Sequence, residues 1–338
     1  MTTAAINDIR QLLSGNKKIV IIPHKNPDGD AMGSTLALCA YLRQLGHHTS
    51  VVAPNEYPHF LKWLPAEEQT VIYSQEEEKA TTLIAEAELI FTLDFNHLSR
   101  TGALEQHLKK ARAPFVMIDH HQQPDSYAIV TYSDTSMSST CQMVYHFLEA
   151  LEATHYITPE MAACLYTGIM TDTGSFRFSA TTAQTHRVIA ALIEKGANNT
   201  AIHQNIYDTN SYTKLQLLGV ALNNLKVIPE YRTAYITLTQ EELDSHSFQK
   251  GDTEGFVNYG LSLDGIIFAV IFIENKNDAI IKMSLRSKGD FSVNDVARKH
   301  YHGGGHINAA GGKSDLNMEQ TVAHFISILP EYKAQLSQ

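Results

Sequence analysis

The stretch His24–Ser34, HKNPDGDAMGS, places one histidine and two aspartates within seven residues, between an apolar run and an amphipathic one. The preceding run, KKIVII (residues 17–22), has the β-branched composition of a buried strand. The following run, AMGSTLALCAYLRQLG (residues 31–46), has helical periodicity and ends at a glycine. The stretch therefore predicts a strand, a polar turn and a helix in succession, which is one unit of an α/β fold.

The same alternation continues along the first half of the chain. Runs rich in valine, isoleucine and phenylalanine alternate with helical patterns as far as Gly196. Such alternation is typical of a parallel sheet flanked by helices. The later strand runs are TSVVAP (49–54), AELIFTLD (87–94) and APFVMID (113–119). We predict an α/β domain with a parallel sheet over residues 1–197.

The pattern changes after residue 197. Residues 198–225 are polar and helical without a strand signal, and we interpret them as a linker. Three strand candidates follow, then the helical run VNDVARKH (293–300) and the glycine-rich run HYHGGGHINAAGG (300–312). We expect a helix to start after the three glycines at 303–305. Residues 226–338 are therefore predicted to form a smaller α+β domain.

Composition limits the classes of function that the chain can have. The 338 residues carry a formal net charge of -10, which argues against binding to long duplex DNA because that binding needs a basic surface. No apolar run approaches the roughly 18 residues of a membrane span. Residues 1–15 predict an amphipathic helix rather than a signal peptide. We expect a cytoplasmic protein without a membrane segment, in which the three cysteines are reduced core thiols.

Carboxylates and imidazoles collect at the ends of the predicted strands. Ligands bind beyond the carboxyl ends of the strands in an open parallel sheet, so these side chains are expected at one site. Each has an alternative when taken singly: Asp30 could cap a helix beginning at Ala31, and Asp94 or Asp119 could end a strand in a turn. Together they would repel one another unless a cation neutralised them. The set is His24, Asp28, Asp30, Asp94, Asp119, His120, His121 and, in TDTGSFRF (171–178), Asp172.

The ligand types indicate which metal such a site would hold. Imidazole with carboxylate and no thiolate favours Mn²⁺, Fe²⁺ or Co²⁺ over the all-oxygen shells typical of Mg²⁺ and Ca²⁺. We expect Mn²⁺, with Mg²⁺, Co²⁺ or Fe²⁺ as alternatives. The ligands are too many for one ion, and two ions about 4 Å apart are suited to in-line displacement at phosphorus.

The second half of the chain carries a candidate anion site. Arg286 lies at a strand end in SLRSKG (284–289), and His306 follows the glycines 303–305. Backbone amides of glycines can approach an anion closely, and arginine can grip a phosphate with two hydrogen bonds. The alternative is a flexible turn beside a surface arginine. Arg100, six residues after Asp94, fits phosphate contact and surface solvation equally well.

Five stretches, in order, resemble the motifs of the DHH phosphoesterases. Four correspond to the family's catalytic domain, and the glycine run is similar to the motif of its DHH-associated C-terminal domain. The likeness spans residues 17 to 312 and adds its own expectation of fold: two domains with the active site in the cleft between them and residues 198–225 as a hinge. The stretches are HKNPDGDAMGS (24–34), LDFNHLSR (93–100), IDHH (118–121), TDTGSFRF (171–178) and GGGHINAAGG (303–312).

The resemblance implies a role for each candidate residue. One Mn²⁺ would be held by His24, Asp28 and Asp94, and the other by Asp30, Asp94, His120 and Asp172, so that Asp94 bridges the two ions. His121 would face the substrate phosphate, and Asp119 would orient a ligand from behind. The far phosphate or terminal nucleotide of the substrate would be held by Arg286, Gly303, Gly304, Gly305 and His306.

The resemblance also implies the reaction. The two-domain members most similar to this chain are oligoribonucleases that also dephosphorylate adenosine 3′,5′-bisphosphate (pAp). We therefore expect hydrolysis of short RNA to nucleoside 5′-monophosphates and of pAp, through hydroxide activated by two metals. Linear di-AMP, polyphosphate or pyrophosphate as substrate remains an alternative, as does a non-catalytic nucleotide sensor. The polarity of degradation and the formation of a homodimer are left open.

Overall fold

The computed structural model describes residues 1–276 and 278–337, and these divide into two compact units. The first unit is Met1–Thr209 and the second is Asn210–Gln338. The division falls inside the segment 198–225. No helix within the described part of the chain is long and apolar enough to cross a membrane.

The first unit is built on a six-stranded, wholly parallel sheet with the order β3-β2-β1-β4-β5-β6. Its strands are β1 (Lys18–Ile22), β2 (His48–Ala53), β3 (Val71–Ile72), β4 (Leu89–Leu93), β5 (Phe115–Asp119) and β6 (Val130–Ser133). The strand order reverses between β1 and β4, and this is where α/β sheets open a crevice for ligands. The predicted parallel α/β domain is confirmed.

Helices cover both faces of this sheet, which explains why its strands are continuous apolar runs. In β1, Ile19 and Ile21 belong to one buried cluster, whereas Val20 and Ile22 belong to another on the opposite face. The helices of the unit are α1 (Thr3–Leu12), α2 (Gly29–Gln44), α3 (Glu77–Glu86), α4 (Glu105–Leu108), α5 (Thr140–Ala150), α6 (Pro159–Asp172), α7 (Ala183–Glu194) and α8 (Asn199–Tyr207).

Two glycines let α2, α5 and α6 approach one another closely. A Cβ on Gly33 of α2 would strike the carbonyl oxygen of Cys164 in α6. A Cβ on Gly168 of α6 would strike the Cys141 thiol of α5 and the backbone of Asp30. Side chains at the first turns of α2 and α5 and at the last turn of α6 are consequently brought into contact range.

The second unit is an α+β domain around a mixed sheet of order β11-β12-β10-β9-β8-β7, in which only β8 and β9 run parallel among the described pairs. Its strands are β7 (Lys226–Ile228), β8 (Thr233–Leu238), β9 (Phe268–Asn275), β10 (Ile280–Ser287), β11 (Gly304–Gly305) and β12 (Ala309–Ser314). Its helices are α9 (Tyr212–Asn223), α10 (Gln240–Ser245), α11 (Phe256–Leu261), α12 (Val293–His300), α13 (Met318–Ile328) and α14 (Lys333–Leu336). The predicted smaller α+β domain is confirmed.

One local prediction in this unit is wrong. The glycines 303–305 lead into a strand and not into a helix, because β11 pairs with β12, which in turn pairs with β10. The glycines allow this close pairing, since a Cβ on Gly303 or Gly305 would strike a carbonyl oxygen of residue 311 or 309. The glycine run therefore forms the outer part of the sheet.

Candidate functional site

The elements on either side of the strand-order reversal carry the candidate ligands. His24 lies two residues beyond β1, and Asp94 follows β4 directly. Asp94 has a left-handed backbone with φ of 67°, a conformation that aspartate tolerates better than most residues. His120 follows the last residue of β5, and Asp172 is the last residue of α6. The sheet edge and the end of α6 therefore converge.

A first group of side chains forms around His24. Its Nε2 atom lies 3.4 Å from Asp94 Oδ2 and 3.8 Å from Asp28 Oδ2. Its other nitrogen, Nδ1, lies 2.8 Å from the carbonyl oxygen of Lys25. Because a carbonyl can only accept, Nδ1 carries a hydrogen and donates it. His24 thus presents Nε2 to the two carboxylates.

A second group forms around His120 and shares Asp94 with the first. The Nε2 atom of His120 lies 3.5 Å from Asp94 Oδ1, 3.4 Å from Asp172 Oδ2 and 3.8 Å from Asp30 Oδ2. Its Nδ1 lies 3.2 Å from the Met137 carbonyl oxygen, so this ring too is fixed with Nε2 toward the carboxylates. Asp94 directs one carboxylate oxygen to each group.

The donor atoms of the two groups fit a pair of divalent cations. In a neutral imidazole that donates through Nδ1, the lone pair of Nε2 would face carboxylate lone pairs, and this contact is repulsive unless a proton or a metal ion lies between them. Ligand atoms lie within 4.8 Å of one another in two triads, His24 with Asp28 and Asp94, and Asp30 with His120 and Asp172. Two imidazoles and four carboxylates without a thiolate form a donor set suited to Mn²⁺.

The pKa shifts in the two groups indicate which protons a bound cation would displace. Burial, reinforced by the charge of Asp94, raises the pKa of Asp30 well above its usual range. Burial also raises the pKa of Asp172, to about 7. Burial opposes the charge on Asp94 and His120, but the contact between them outweighs it, lowering the pKa of Asp94 and raising the pKa of His120. In the absence of metal, Asp30 and Asp172 therefore hold protons more tightly than ordinary carboxyls, and a divalent cation would displace these protons.

The alternative explanation of Asp30 as a helix cap does not hold. The helix α2 begins at Gly29, and its N-cap is Asp28, whose carboxylate accepts from the amides of Asp30 and Ala31 at 3.1 Å each. Asp30 is 1% exposed and accepts instead from two amides of α5, at 2.6 Å from Thr140 N and 2.8 Å from Cys141 N. Asp30 therefore does not cap its own helix, and its carboxylate belongs to the group of acids.

His121 and Asp119 form a pair beside the shared carboxylate. His121 Nδ1 lies 2.7 Å from Asp119 Oδ1 and 3.8 Å from Asp94 Oδ1. Asp119 is completely buried, so its position is fixed by the end of β5. This carboxylate orients the His121 ring.

Arg100 lies near the first group. Its positive charge opposes protonation of His24, where the contact with Asp94 outweighs burial and raises the pKa. The carbonyl oxygen of Arg100 also accepts from the amide of Lys25 at 2.7 Å, which ties the loop after β4 to the loop after β1. Arg100 therefore borders the site.

The candidate anion-binding residues belong to the second unit. Arg286 of β10 pairs with Ala309 of β12, two positions from the turn that contains His306 and Ile307. The amide of Gly305 donates to Asn294 Oδ1 at 2.9 Å, and the amide of His306 donates to the Ala309 carbonyl oxygen at 2.7 Å. Arg286, the glycines 303–305 and His306 thus lie at one end of the second sheet.

Residues 137–141 also contribute to the site, although their sequence does not indicate it. Besides the two amides that bind Asp30, Thr140 Oγ1 donates to Asp94 Oδ1 at 2.9 Å. The run SSTC (138–141) carried only the signal of a helix start. Backbone donors leave no mark in a sequence, so only the fold could show which acid they contact.

Comparison with protein families identifies both units. The family model described as "DHH family, N-terminal domain" matches residues 18–169. The model described as "DHHA1 domain" matches residues 233–333. These are the two domains that the motif resemblance led us to expect, in the same order.

Similar proteins match along most of the chain. A Thermus thermophilus protein described as a bifunctional oligoribonuclease and PAP phosphatase is 30% identical over 93% of this chain and 89% of its own. A Bacillus subtilis protein of the same description is 28% identical over 87% and 88%. A crystal structure described as an exopolyphosphatase-related protein from Bacteroides fragilis is 37% identical, with a TM-score of 0.95, and the match covers 100% of this chain and 98% of that one. The chain therefore belongs to the DHH family of phosphoesterases, in the group that couples a DHH domain to a DHHA1 domain.

Proposed function

We propose that this protein is a two-metal phosphohydrolase that releases nucleoside 5′-monophosphates from short oligoribonucleotides and removes a phosphate from pAp. The observation that carries the proposal is the shared carboxylate of Asp94, which directs one oxygen to each of two ligand groups. The substrate class is supported by the descriptions of the Thermus and Bacillus relatives.

The proposal assigns the two ligand groups to Mn²⁺. His24, Asp28 and Asp94 would hold one ion, and Asp30, Asp94, His120 and Asp172 the other. When bound, the ions lower the pKa of a water molecule and neutralise phosphate oxygens. The mixed set of imidazole and carboxylate supports Mn²⁺ above Mg²⁺, with Fe²⁺ and Co²⁺ as alternatives.

The remaining residues of the site would act on the substrate directly. We assign His121 to the scissile phosphate, with the Asp119 carboxylate 2.7 Å from Nδ1 keeping the hydrogen on that nitrogen and turning Nε2 toward the substrate. Arg100 would add a positive charge beside the first ion. The role of His121 is supported by the 3.8 Å distance between its Nδ1 and Asp94 Oδ1. The role of Arg100 is supported by its electrostatic effect on His24.

The second unit would supply recognition of the substrate's far end. We assign Arg286, Gly303, Gly304, Gly305 and His306 to the terminal nucleotide or second phosphate. The guanidinium of Arg286 can grip a phosphate with two hydrogen bonds. The amides of Gly303, Gly305 and His306 already donate within the unit, so the glycines would contribute close approach of the backbone and not free donors. Binding there would favour substrates that carry a second phosphate or nucleotide beyond the scissile bond.

A second candidate is hydrolysis of polyphosphate. It is favoured by the description of the Bacteroides fragilis structure, which is similar to this chain over its full length. The two candidates share the metal centre and differ in whether a nucleoside must be present in the substrate.

The test compares substrates on the purified protein with Mn²⁺. We expect turnover of pAp and of a 5′-phosphorylated RNA dinucleotide, and little turnover of polyphosphate, pyrophosphate or an RNA of roughly 20 nucleotides. Hydrolysis of polyphosphate alone would refute the nucleotide proposal and establish the alternative. Absence of turnover for every substrate, with Mn²⁺ bound, would indicate a nucleotide sensor.

The role of the shared carboxylate is tested by Asp94→Ala. Because this change removes a ligand from both ions, kcat for pAp should fall by at least about a thousandfold. Asp8→Ala, an identical substitution at an exposed position of α1, serves as the control and should leave kcat unchanged. Near-normal activity of Asp94→Ala would refute the two-metal proposal.

A further inference from the structure

Three residues of the segment 137–141 contact candidate ligands from three separate parts of the first unit. The Met137 carbonyl oxygen lies 3.2 Å from His120 Nδ1. Thr140 contributes its hydroxyl to Asp94 and its amide to Asp30, and the Cys141 amide also donates to Asp30. The 137–141 segment thus connects the ends of β4 and β5 and the first turn of α2.

The backbone amides at the start of α5 divide between Asp30 and the helix's own cap. In a helix the first amides have no partner within the helix. At the start of α5, Ser139 Oγ accepts from the third of these amides, that of Gln142, at 3.0 Å. The first two amides, of Thr140 and Cys141, both reach the carboxylate of Asp30. The helix therefore binds one buried carboxylate with two amides while its own cap remains formed.

The segment is held rigidly by a buried polar network. Ser138 Oγ donates to Gln142 Oε1 at 2.6 Å, and the same oxygen accepts from Thr185 Oγ1 of α7 at 3.0 Å. Ser139 and Thr140 are completely buried, and Ser138 is 2% exposed. Because each of these hydroxyls has a partner, the network is satisfied and fixes the start of α5.

The Thr140 hydroxyl can donate only one hydrogen, and it donates it to Asp94 Oδ1 at 2.9 Å. Asp94 is 2% exposed, so no solvent competes for this bond. The bond fixes the rotation of the Asp94 carboxylate, which faces both His24 and His120. A carboxylate held in this way has its remaining lone pairs directed at the two ligand groups before any cation binds.

We propose that Thr140 is a positioning residue for the metal centre: its hydroxyl fixes the bridging carboxylate of Asp94 while its amide and that of Cys141 fix Asp30. This inference rests on the two-metal part of the proposed function and is independent of which phosphate ester is the substrate. Thr140 is not one of the proposed ligands and would act through Asp94 and Asp30, on how tightly the cations bind.

The experiment measures Mn²⁺ binding to the purified full chain by electron paramagnetic resonance, without substrate. Thr140→Val replaces the hydroxyl with a methyl group at nearly constant shape. Thr140→Ser and Thr140→Ala both lose the methyl group and differ from each other only in the hydroxyl, so this pair isolates the bond to Asp94 even if the valine variant folds poorly. Thr321→Val is the control, because Thr321 is also completely buried and donates to a side chain, Ser314 Oγ at 2.9 Å, in the second unit.

Loss of the hydroxyl should weaken Mn²⁺ binding about ten- to a hundredfold in Thr140→Val and Thr140→Ala. Thr140→Ser should bind within about threefold of the unaltered protein, and Thr321→Val should be unchanged. The spectrum of two spin-coupled Mn²⁺ ions should be lost from the valine and alanine variants at Mn²⁺ concentrations that saturate the serine variant.

Equal Mn²⁺ affinity in the serine and alanine variants would overturn the inference, since the hydroxyl would then have no role in positioning. Failure of the unaltered protein to bind two Mn²⁺ ions would overturn both the inference and the metal part of the proposed function. Failure to hydrolyse pAp or RNA, with two Mn²⁺ ions bound, would contradict only the proposed substrate.

Discussion

Asp172→Asn should stabilise the metal-free protein at high pH and reduce the stabilisation that Mn²⁺ provides. Burial raises the pKa of Asp172 to about 7; His120 opposes this shift, and Asp28 and Asp94 add to it. A carboxyl whose pKa is higher in the folded state than in the unfolded state binds its proton more tightly when folded. This stabilisation is complete below the ordinary pKa of 3.8 and is lost as the pH rises to about 7.

The interval between these two pKa values sets the size of the effect. At about 1.4 kcal/mol for each pH unit, the loss of stability amounts to at most about 4 kcal/mol at pH 8 and roughly 1 to 2 kcal/mol at pH 5. Asparagine does not ionise and so escapes the loss. The free energy of unfolding of the metal-free variant, relative to the unaltered protein, should therefore rise by about 2 to 3 kcal/mol between pH 5 and pH 8.

Urea unfolding followed by the fluorescence of Trp63 measures this difference. Trp63 is the one tryptophan of the sequence and lies in the first unit, so its signal reports that unit. A chelator keeps the protein metal-free, and Asp8→Asn on the exposed face of α1 controls for the loss of a charge.

Mn²⁺ should reduce the advantage of the variant at pH 8. At a concentration one hundred times the dissociation constant, binding stabilises the unaltered protein by about 2.7 kcal/mol, and the variant lacks one ligand. A difference between the metal-free proteins that is the same at pH 5 and pH 8 would refute the electrostatic reasoning. A difference in stability that Mn²⁺ leaves unchanged would refute Asp172 as a ligand.

Two further predictions concern packing and recognition. Gly168→Ala should lower the free energy of unfolding by about 1 to 3 kcal/mol, because the added methyl group meets the Cys141 thiol and Asp30. Gly219→Ala in α9, where nothing lies within 4 Å, should raise it by about 0.4 to 1 kcal/mol; equal shifts of the urea midpoint would contradict the packing argument. Arg286→Ala should raise KM for pAp at least about tenfold with little change in kcat. Lys282→Ala, on the same strand and exposed, should leave steady-state kinetics unchanged, and a fall in kcat alone for Arg286→Ala would contradict a binding role.

The apolar runs of the first half were sufficient to predict four of the strands. In β1, β2, β4 and β5 the buried faces require valine, isoleucine and phenylalanine, and these residues are visible in the sequence. The strands β3 and β6 were not predicted. The first has two residues, and the second has a single buried residue, Val130, so neither carries a periodic signal.

The prediction of a helix after the glycines 303–305 was wrong for a different reason. The sequence AAGGKS of β12 contains no β-branched or aromatic residue, and intrinsic preference alone would not make it a strand. It is a strand because the open edge of β10 offers a ladder of hydrogen bonds from Ile281 to Arg286. Tertiary context determined the structure of this segment.

The gathering of the acids and histidines could be predicted because strand ends in a parallel sheet meet at one edge. The hydrogen bonds that hold these side chains in place could not be predicted. Asp30 looked like a helix cap, and only the crossing of α2, α5 and α6 at Gly33 and Gly168 shows that α5 amides bind it. Contacts between backbone groups and distant side chains depend on the packing of helices, which local sequence does not record.

The proposed ligands are spread along the chain from His24 to Asp172, and this spread dictates when the metal centre can form. Translation delivers Asp94 well after His24, and the donors of α5 and the acid at the end of α6 come later still. A nascent chain that stops before α6 therefore carries the group of His24, Asp28 and Asp94 but lacks the Asp172 of the second group. We expect both Mn²⁺ ions to be bound only after the first unit has folded, so that loading of the complete centre follows folding.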